Sequence, residues 1–295
     1  MISSEALQKK IIVKGKPYQI NALLGQGSHA IVHKAQTLYY PHEEITIKIA
    51  RESQGIPKER VENEIWLLKE LSHENIPLLL DSGNIDGHLW LAMPVYQKLA
   101  ISIASKGTIE NFYPDEIDSK GYPSKATLIP YKIREKITIA VLNDIVHAID
   151  YIAGTGIVHA DISPGNIMET KGSLLHKKYV LTDWGASALI HRYPSKTFGS
   201  LHFTAPERLL GEVGIKSDIF SLGVVCFYLL TGTVPYSGET AELYYLSVLE
   251  RDGISPSAIE KNISSVLDKT LRDMIRHKAS DRIETKEVIR RIQKL

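Results

Sequence analysis

The chain has 295 residues, 43% of them hydrophobic and 23% charged, a balance that excludes wholesale disorder and allows one large or two smaller globular units. A formal net charge of +1 gives no global attraction to nucleic acid or anionic lipid, and the longest apolar run, around Leu222–Leu230, is too short to span a bilayer. Cys226, the single cysteine, excludes an intramolecular disulfide and reads as a buried, inert thiol; with no secretory pattern at Met1–Glu5, the expectation is a cytoplasmic protein.

Residues 11–50 hold short apolar runs broken by glycine and proline: Ile11–Val13, Tyr18–Ile20, Ala30–Val32 and Ile45–Ile49. These predict consecutive antiparallel strands, with a turn at Lys14-Gly15-Lys16-Pro17. Gly25-Gln26-Gly27-Ser28-His29-Ala30-Ile31-Val32 lies between two of them, and its glycines allow backbone N–H groups to approach phosphate oxygens. Alone, such a loop is as readily a plain hairpin turn. A dinucleotide fingerprint would need a helix next, whereas the segment after Val32 reads as a strand.

Lys48 ends an apolar strand and requires an anionic partner if it faces inward. A helix predicted from near Pro57 through Leu71, with Val61, Ile65, Leu68 and Leu71 on one face, offers Glu64; Glu62 competes from a different face. Further runs near Pro77–Leu80 and Leu89–Val95 complete a predicted five-stranded sheet with one helix. Ser105–Tyr131, polar and punctuated by Pro114, Gly121, Pro123 and Pro130, reads as a long insertion or irregular loop.

Beyond Ile133 the chain turns helical. Ile137, Val141, Ile145, Ala148, Ile149 and Ile152 form one stripe, ended by Gly154 and Gly156. His159-Ala160-Asp161-Ile162-Ser163-Pro164-Gly165-Asn166 follows, and a predicted strand, Tyr179–Thr182, delivers Asp183-Trp184-Gly185. These residues suit phosphoryl transfer. Asp161 can accept a proton from an attacking hydroxyl, and Asn166 and Asp183 can offer hard oxygen ligands to Mg²⁺. Helices are predicted at about 218–231, 240–252, 263–276 and 284–294.

The glycine loop, strand lysine, helix glutamate, catalytic loop and aspartate motif, in this order, resemble the eukaryotic-type (Hanks-type) serine/threonine protein kinase family over about residues 18–292. Ala205-Pro206-Glu207 is similar to the end of the activation segment, Ser217–Gly223 to the start of the central buried helix, and Asp281-Arg282 to the site of an arginine partner for Glu207. The resemblance implies an α+β, bilobal fold: residues 1–97 a small antiparallel sheet lobe with one helix, residues 98–295 a larger, mainly helical lobe. It implies ATP and Mg²⁺ as cofactors and a protein substrate bearing Ser or Thr, with no nucleic acid or membrane as partner and any regulator unidentified. Gly25, Gly27 and Ala30 would cover the nucleotide. Lys48 would contact its phosphates, held by Glu64; Asp161 would serve as base, and Asn166 and Asp183 as metal ligands. Val32, Thr46 and Met168 would enclose the adenine, Met93 would guard a rear pocket, and Pro94 and Tyr96 would lend backbone groups. Leu68, Leu79, His159 and Trp184 would form a hydrophobic spine.

Several residues depart from the family pattern. Ala160 replaces the arginine that receives an activation-segment phosphate, so activity is expected not to depend on phosphorylation at Ser195 or Thr197. Ser163 replaces a lysine near the γ-phosphate, Ala30 the third loop glycine, and Thr46 a common alanine. Ser200 and Phe203-Thr204 favour Ser/Thr over Tyr substrates, and Gly165 argues against a strong arginine requirement. The competing readings are a small-molecule phosphotransferase of the aminoglycoside or choline kinase type and a pseudokinase scaffold.

Overall fold

The isoleucine run at 45–49 becomes an interior strand of a six-stranded antiparallel sheet in the computed structural model, which describes residues 9–99, 130–171, 177–189, 201–236, 238 and 241–295. The strands are β1 (Lys10–Val13), β2 (Lys16–Gln26), β3 (Ala30–Thr37), β4 (Glu44–Ala50), β5 (Asp81–Ile85) and β6 (His88–Pro94), in the order β1-β2-β3-β4-β6-β5. The β1–β2 turn takes positive φ at Lys14 (48°) and Gly15 (76°), the pair of left-handed residues that matches hairpin twist. The expected count of five strands is corrected to six. The run at Pro77–Leu80 is not a strand, and Leu78 is 61% exposed; β5 starts at the polar Asp81 and is defined by its pairing with β6.

Helix α1 (Gly55–Glu70) carries Pro57 in its first turn, where a missing N–H costs no helical bond. It has no side-chain N-cap, so its stability comes from packing Val61, Ile65 and Leu68, all buried. One face of the sheet packs around Ile20, Ala35, Ile45, Ile47, Ile49 and Trp90. The other gathers Ala30, Ala50, Leu91 and Met93 with Val61 and Ile65 of α1. This unit comprises Met1–Gln97 with Thr170–Lys177 and Thr182–Ser187.

A two-residue strand β7 (Gln97–Lys98) leads to the second unit, Lys98–Glu169, Lys178–Leu181 and Ala188–Leu295. There α2 (Tyr131–Ala153) buries the whole predicted stripe from Ile137 to Ile152. Two short antiparallel ladders follow: β8 (Ile157–Val158) with β11 (Ala188–Leu189), and β9 (Ile167–Glu169) with β10 (Tyr179–Leu181). After α3 (Pro206–Leu209), α4 (Ile215–Thr231) is buried from Ser217 onward on every face, as expected of a helix apolar all round. Gly232 ends it with φ +77°, donating its N–H to the Tyr228 carbonyl. Cys226 lies within it, fully buried, and burial pushes its thiol pKa up. Helices α5 (Ala241–Glu250), α6 (Ser265–Met274) and α7 (Thr285–Ile292) complete the unit. No described helix is long and apolar enough to cross a membrane. Most of the expected insertion, residues 105–129, and Ser195, Thr197 and Ser200 lie outside the described residues.

Candidate active site

Side chains alternate along a strand, so β4 sends Ile45, Ile47 and Ile49 to one face and Thr46, Lys48 and Ala50 to the other, toward α1. Register extends that row across the sheet: Val32 and Leu91 flank Lys48, and Met93 flanks Thr46. The residues expected to enclose adenine from this unit, Val32 and Thr46, and the expected rear-pocket residue Met93 therefore share a face with the lysine. Pro94 closes β6 opposite Ile45, and the Tyr96 hydroxyl accepts the Leu78 N–H at 3.4 Å.

Lys48 is 9% exposed and lies between two carboxylates. Its Nζ is 2.6 Å from Glu64 Oε2 and 2.8 Å from Asp183 Oδ1. Burial opposes the ammonium, but attraction to Asp183 and Glu64 outweighs it and holds the lysine pKa above its ordinary value. Glu64 is 1% exposed, and burial pushes its carboxyl pKa up, offset in part by Lys48. Its Oε1 is buried without a hydrogen-bond partner. The proton therefore stays on Lys48, which serves both acids. Glu64, not Glu62, is the partner.

Asp183 stands in the left-handed region (φ +65°) ahead of a single 3₁₀ turn, Trp184–Ala186. Trp184 is fully buried, and Gly185 lies so close to α1 that a Cβ there would sit 3.2 Å from both Arg60 Cβ and the Arg60 carbonyl oxygen. Asn63 of α1 donates its amide to the carbonyls of this segment, best to Ser187 at 2.8 Å. In the glycine loop, the Gly27 N–H donates to the Ala30 carbonyl at 2.9 Å. Arg51, just past β4, donates its backbone N–H to the His29 carbonyl and its guanidinium to the Gly27 carbonyl, both at 3.0 Å.

The second unit holds the catalytic-loop residues. Val158 of β8 leads into His159, which is fully buried, and Ala160 with φ +65°. Buried Asp218, near the start of α4, accepts the His159 and Ala160 N–H groups at 2.7 and 2.9 Å and fixes this turn. Asn166 closes the loop on Asp161: its Nδ2 donates to the Asp161 carbonyl at 2.7 Å and to Oδ2 at 3.2 Å. Those donations turn the amide N–H groups of Asn166 toward Asp161. The amide oxygen of an asparagine and the carboxylate of an aspartate such as Asp183 are each hard donors of the kind Mg²⁺ accepts. Among the described residues no group of three or more His, Cys, Asp or Glu gathers to hold a metal by itself. Ser163 is 4% exposed, and Met168 on β9 is half-buried. Farther along, Arg282 grips Glu207 with two parallel bonds of 2.6 and 2.7 Å, and its guanidinium stacks 4.8 Å from the Phe220 ring centre.

The structure thus brings Lys48, Glu64 and Asp183 together in one unit and Asp161 with Asn166 in the other. Asn63 and Arg51 escape a reading of the sequence. An asparagine on a helix and an arginine after a strand carry no local signal of contacts so distant along the chain.

A sequence profile for the protein kinase domain matches residues 18–291. The probable serine/threonine-protein kinase PknB of Lactococcus lactis is 25% identical over 272 residues, 87% of this chain and 39% of that protein. Serine/threonine-protein kinase PrkC of Bacillus subtilis is 28% identical over 84% of this chain and 35% of its own length. Serine/threonine-protein kinase DCLK1 of Rattus norvegicus is 26% identical over 92% and 58%. The chain spans less than two thirds of the length of each.

Proposed function

Because the chain belongs to the protein kinase domain family, we propose that it is an ATP-dependent kinase acting on serine and threonine hydroxyls of protein substrates. The observation that carries the reading is the buried lysine shared by Glu64 and Asp183 at 2.6 and 2.8 Å, a fixed positive charge suited to ATP phosphates. Lys48 would hold the α- and β-phosphates. Asp183 and Asn166 would each supply an oxygen to Mg²⁺, which when bound offsets charge on the transferring group. Asp161 would orient the substrate hydroxyl and take its proton as the new O–P bond forms and the bond to the ADP oxygen breaks. The Asn166 amide, bonded to the Asp161 carbonyl and to its Oδ2, holds the loop and the carboxylate for that task.

Gly25, Gly27 and Ala30 would cover the phosphates; Val32, Thr46 and Met168 would enclose the adenine and Met93 would guard the rear pocket, with backbone groups of Pro94 and Tyr96 reading the adenine edge. Residues 1–97 would be the nucleotide lobe and 98–295 the substrate lobe. A cytoplasmic location belongs to the same reading, supported by the single buried cysteine.

Incubation with γ-labelled ATP, Mg²⁺ and a mixture of Ser/Thr-containing proteins tests the reading. Protein-bound phosphoserine or phosphothreonine is expected, and Asp161→Asn is expected to reduce it about 10²–10⁴-fold while nucleotide affinity persists. Label confined to a small molecule would establish a metabolite phosphotransferase instead. Nucleotide binding without any transfer would establish a scaffold.

A further inference from the structure

Asn63 precedes Glu64 on α1 and is half-buried. Its Nδ2 lies 2.8 Å from the Ser187 carbonyl, 3.4 Å from that of Trp184 and 3.5 Å from that of Gly185. Three carbonyl oxygens of one short segment therefore face one amide nitrogen. Only an N–H donor suits such a place, because an oxygen there would meet nothing but other lone pairs.

The segment so gripped carries Asp183 at its head, and the helix that grips it carries Glu64. Lys48 ties the two acids, but one ammonium between two carboxylates leaves the group with excess negative charge. Gly185 adds close packing against Arg60, a contact without directional preference. Asn63 adds a directional link beside the backbone hydrogen bond of Trp184 to Glu64, and as a neutral donor it does not compete with Lys48 for either acid.

We propose that Asn63 is a positioning residue that clamps the Trp184–Ser187 segment to α1 and so keeps Asp183 and Glu64 at their places around Lys48. The proposal rests on the reading of those three groups as phosphoryl-transfer machinery. The clamp itself has a readout that needs no activity.

Three substitutions in the full chain separate donor from packing. Asn63→Asp keeps the shape and presents oxygens to the carbonyls, Asn63→Ala removes the contact, and Asn63→Gln restores an amide on a longer arm. Amide hydrogen exchange at Trp184–Ser187 without nucleotide is expected to accelerate about five- to tenfold in the Asp and Ala variants. Turnover (kcat) is expected to fall by a similar factor with KM for the protein substrate unchanged, and Gln should recover much of both. Melting temperature of each variant controls for folding. Unchanged exchange in both Asp and Ala variants overturns the proposal, and so does a Gln variant as loose as Ala, which would mark the role as packing. Faster exchange in a chain that transfers no phosphate would sink the kinase reading and leave the clamp standing.

Discussion

Asp218 takes two backbone N–H groups with a carboxyl that burial pushes up to about 6, the hydrogen bonds from His159 and Ala160 offsetting part of the rise. An acid whose folded pKa exceeds its unfolded one holds its proton more tightly when folded. Its contribution to stability is therefore complete below the ordinary carboxylate pKa and lost as pH rises through about 6. Asp218→Asn keeps one acceptor and turns an N–H₂ toward a backbone N–H. It should cost about 2–3 kcal/mol in urea unfolding at neutral pH; a loss within error would show that the turn holds itself. His33 on β3 acts in the opposite sense. It is fully buried among the apolar side chains of the sheet, neither ring nitrogen has a hydrogen-bond partner, and burial lowers its pKa. The neutral ring is favoured in the fold, so stability is lost as pH falls below the imidazole range. His33→Leu should flatten the decline in unfolding midpoint between about pH 7 and 5. A decline parallel to that of the unsubstituted chain would refute the assignment. The resemblance drew attention to Asp218 as part of a helix start, but its grip on His159 and Ala160 joins residues far apart in the chain. His33 is hidden altogether, since a histidine between strand residues has no period that marks it as core.

At the scale of elements, α1 is placed by what packs beneath it. Gly185→Ala would set a Cβ 3.2 Å from the Arg60 backbone oxygen, and backbone yields less readily than a side-chain tip. The expected cost is about 1–3 kcal/mol, with kcat reduced because the helix bearing Glu64 must shift; unchanged kinetics would show that the segment can accommodate the methyl. In the glycine loop, Arg51→Ala removes the guanidinium bond to the Gly27 carbonyl and keeps the backbone bond to His29. Half a bidentate staple remains. KM for ATP should rise about two- to fivefold with kcat little changed, as steady-state kinetics over a range of ATP would show. The strands β1 to β4 were legible as short apolar runs broken by glycine and proline, and the helix stripe because its apolar residues recur at a period between three and four. β5 was not, because Asp81-Ser82-Gly83-Asn84-Ile85 has no apolar pattern and owes its form to β6. The neighbouring leucines, apolar but outside the strand, drew the expectation to the wrong stretch; Leu80 reaches β6 through one N–H bond to the Ala92 carbonyl.

At the scale of the whole molecule, each unit carries one share of the proposed chemistry on its own framework. The nucleotide side rests on a sheet and α1, the hydroxyl side on the fully buried α4. The pair Arg282–Glu207 secures the latter: the arginine side chain is wholly buried and spends its remaining donors on the carbonyls of Lys216, Arg276 and His277. Arg282→Ala leaves the part-buried Glu207 carboxylate with the Ser217 hydroxyl as its remaining side-chain donor and should cost about 2–3 kcal/mol in chemical unfolding. Arg282→Lys should recover only part, since an ammonium cannot match the two parallel bonds. The sequence shows the two members of this pair and the resemblance joins them, but the carbonyls that complete the arginine's shell belong to the fold alone.

The alternation along β4 has a consequence for how this chain can change over time. Inserting or deleting one residue between Glu44 and Lys48 would exchange odd for even, turning the ammonium into the isoleucine layer and an isoleucine toward the two acids. Substitutions in the strand alter one contact each, whereas a single-codon length change inverts every position at once. Natural variation in this strand should therefore be by replacement, with changes in length confined to the turns that bound it.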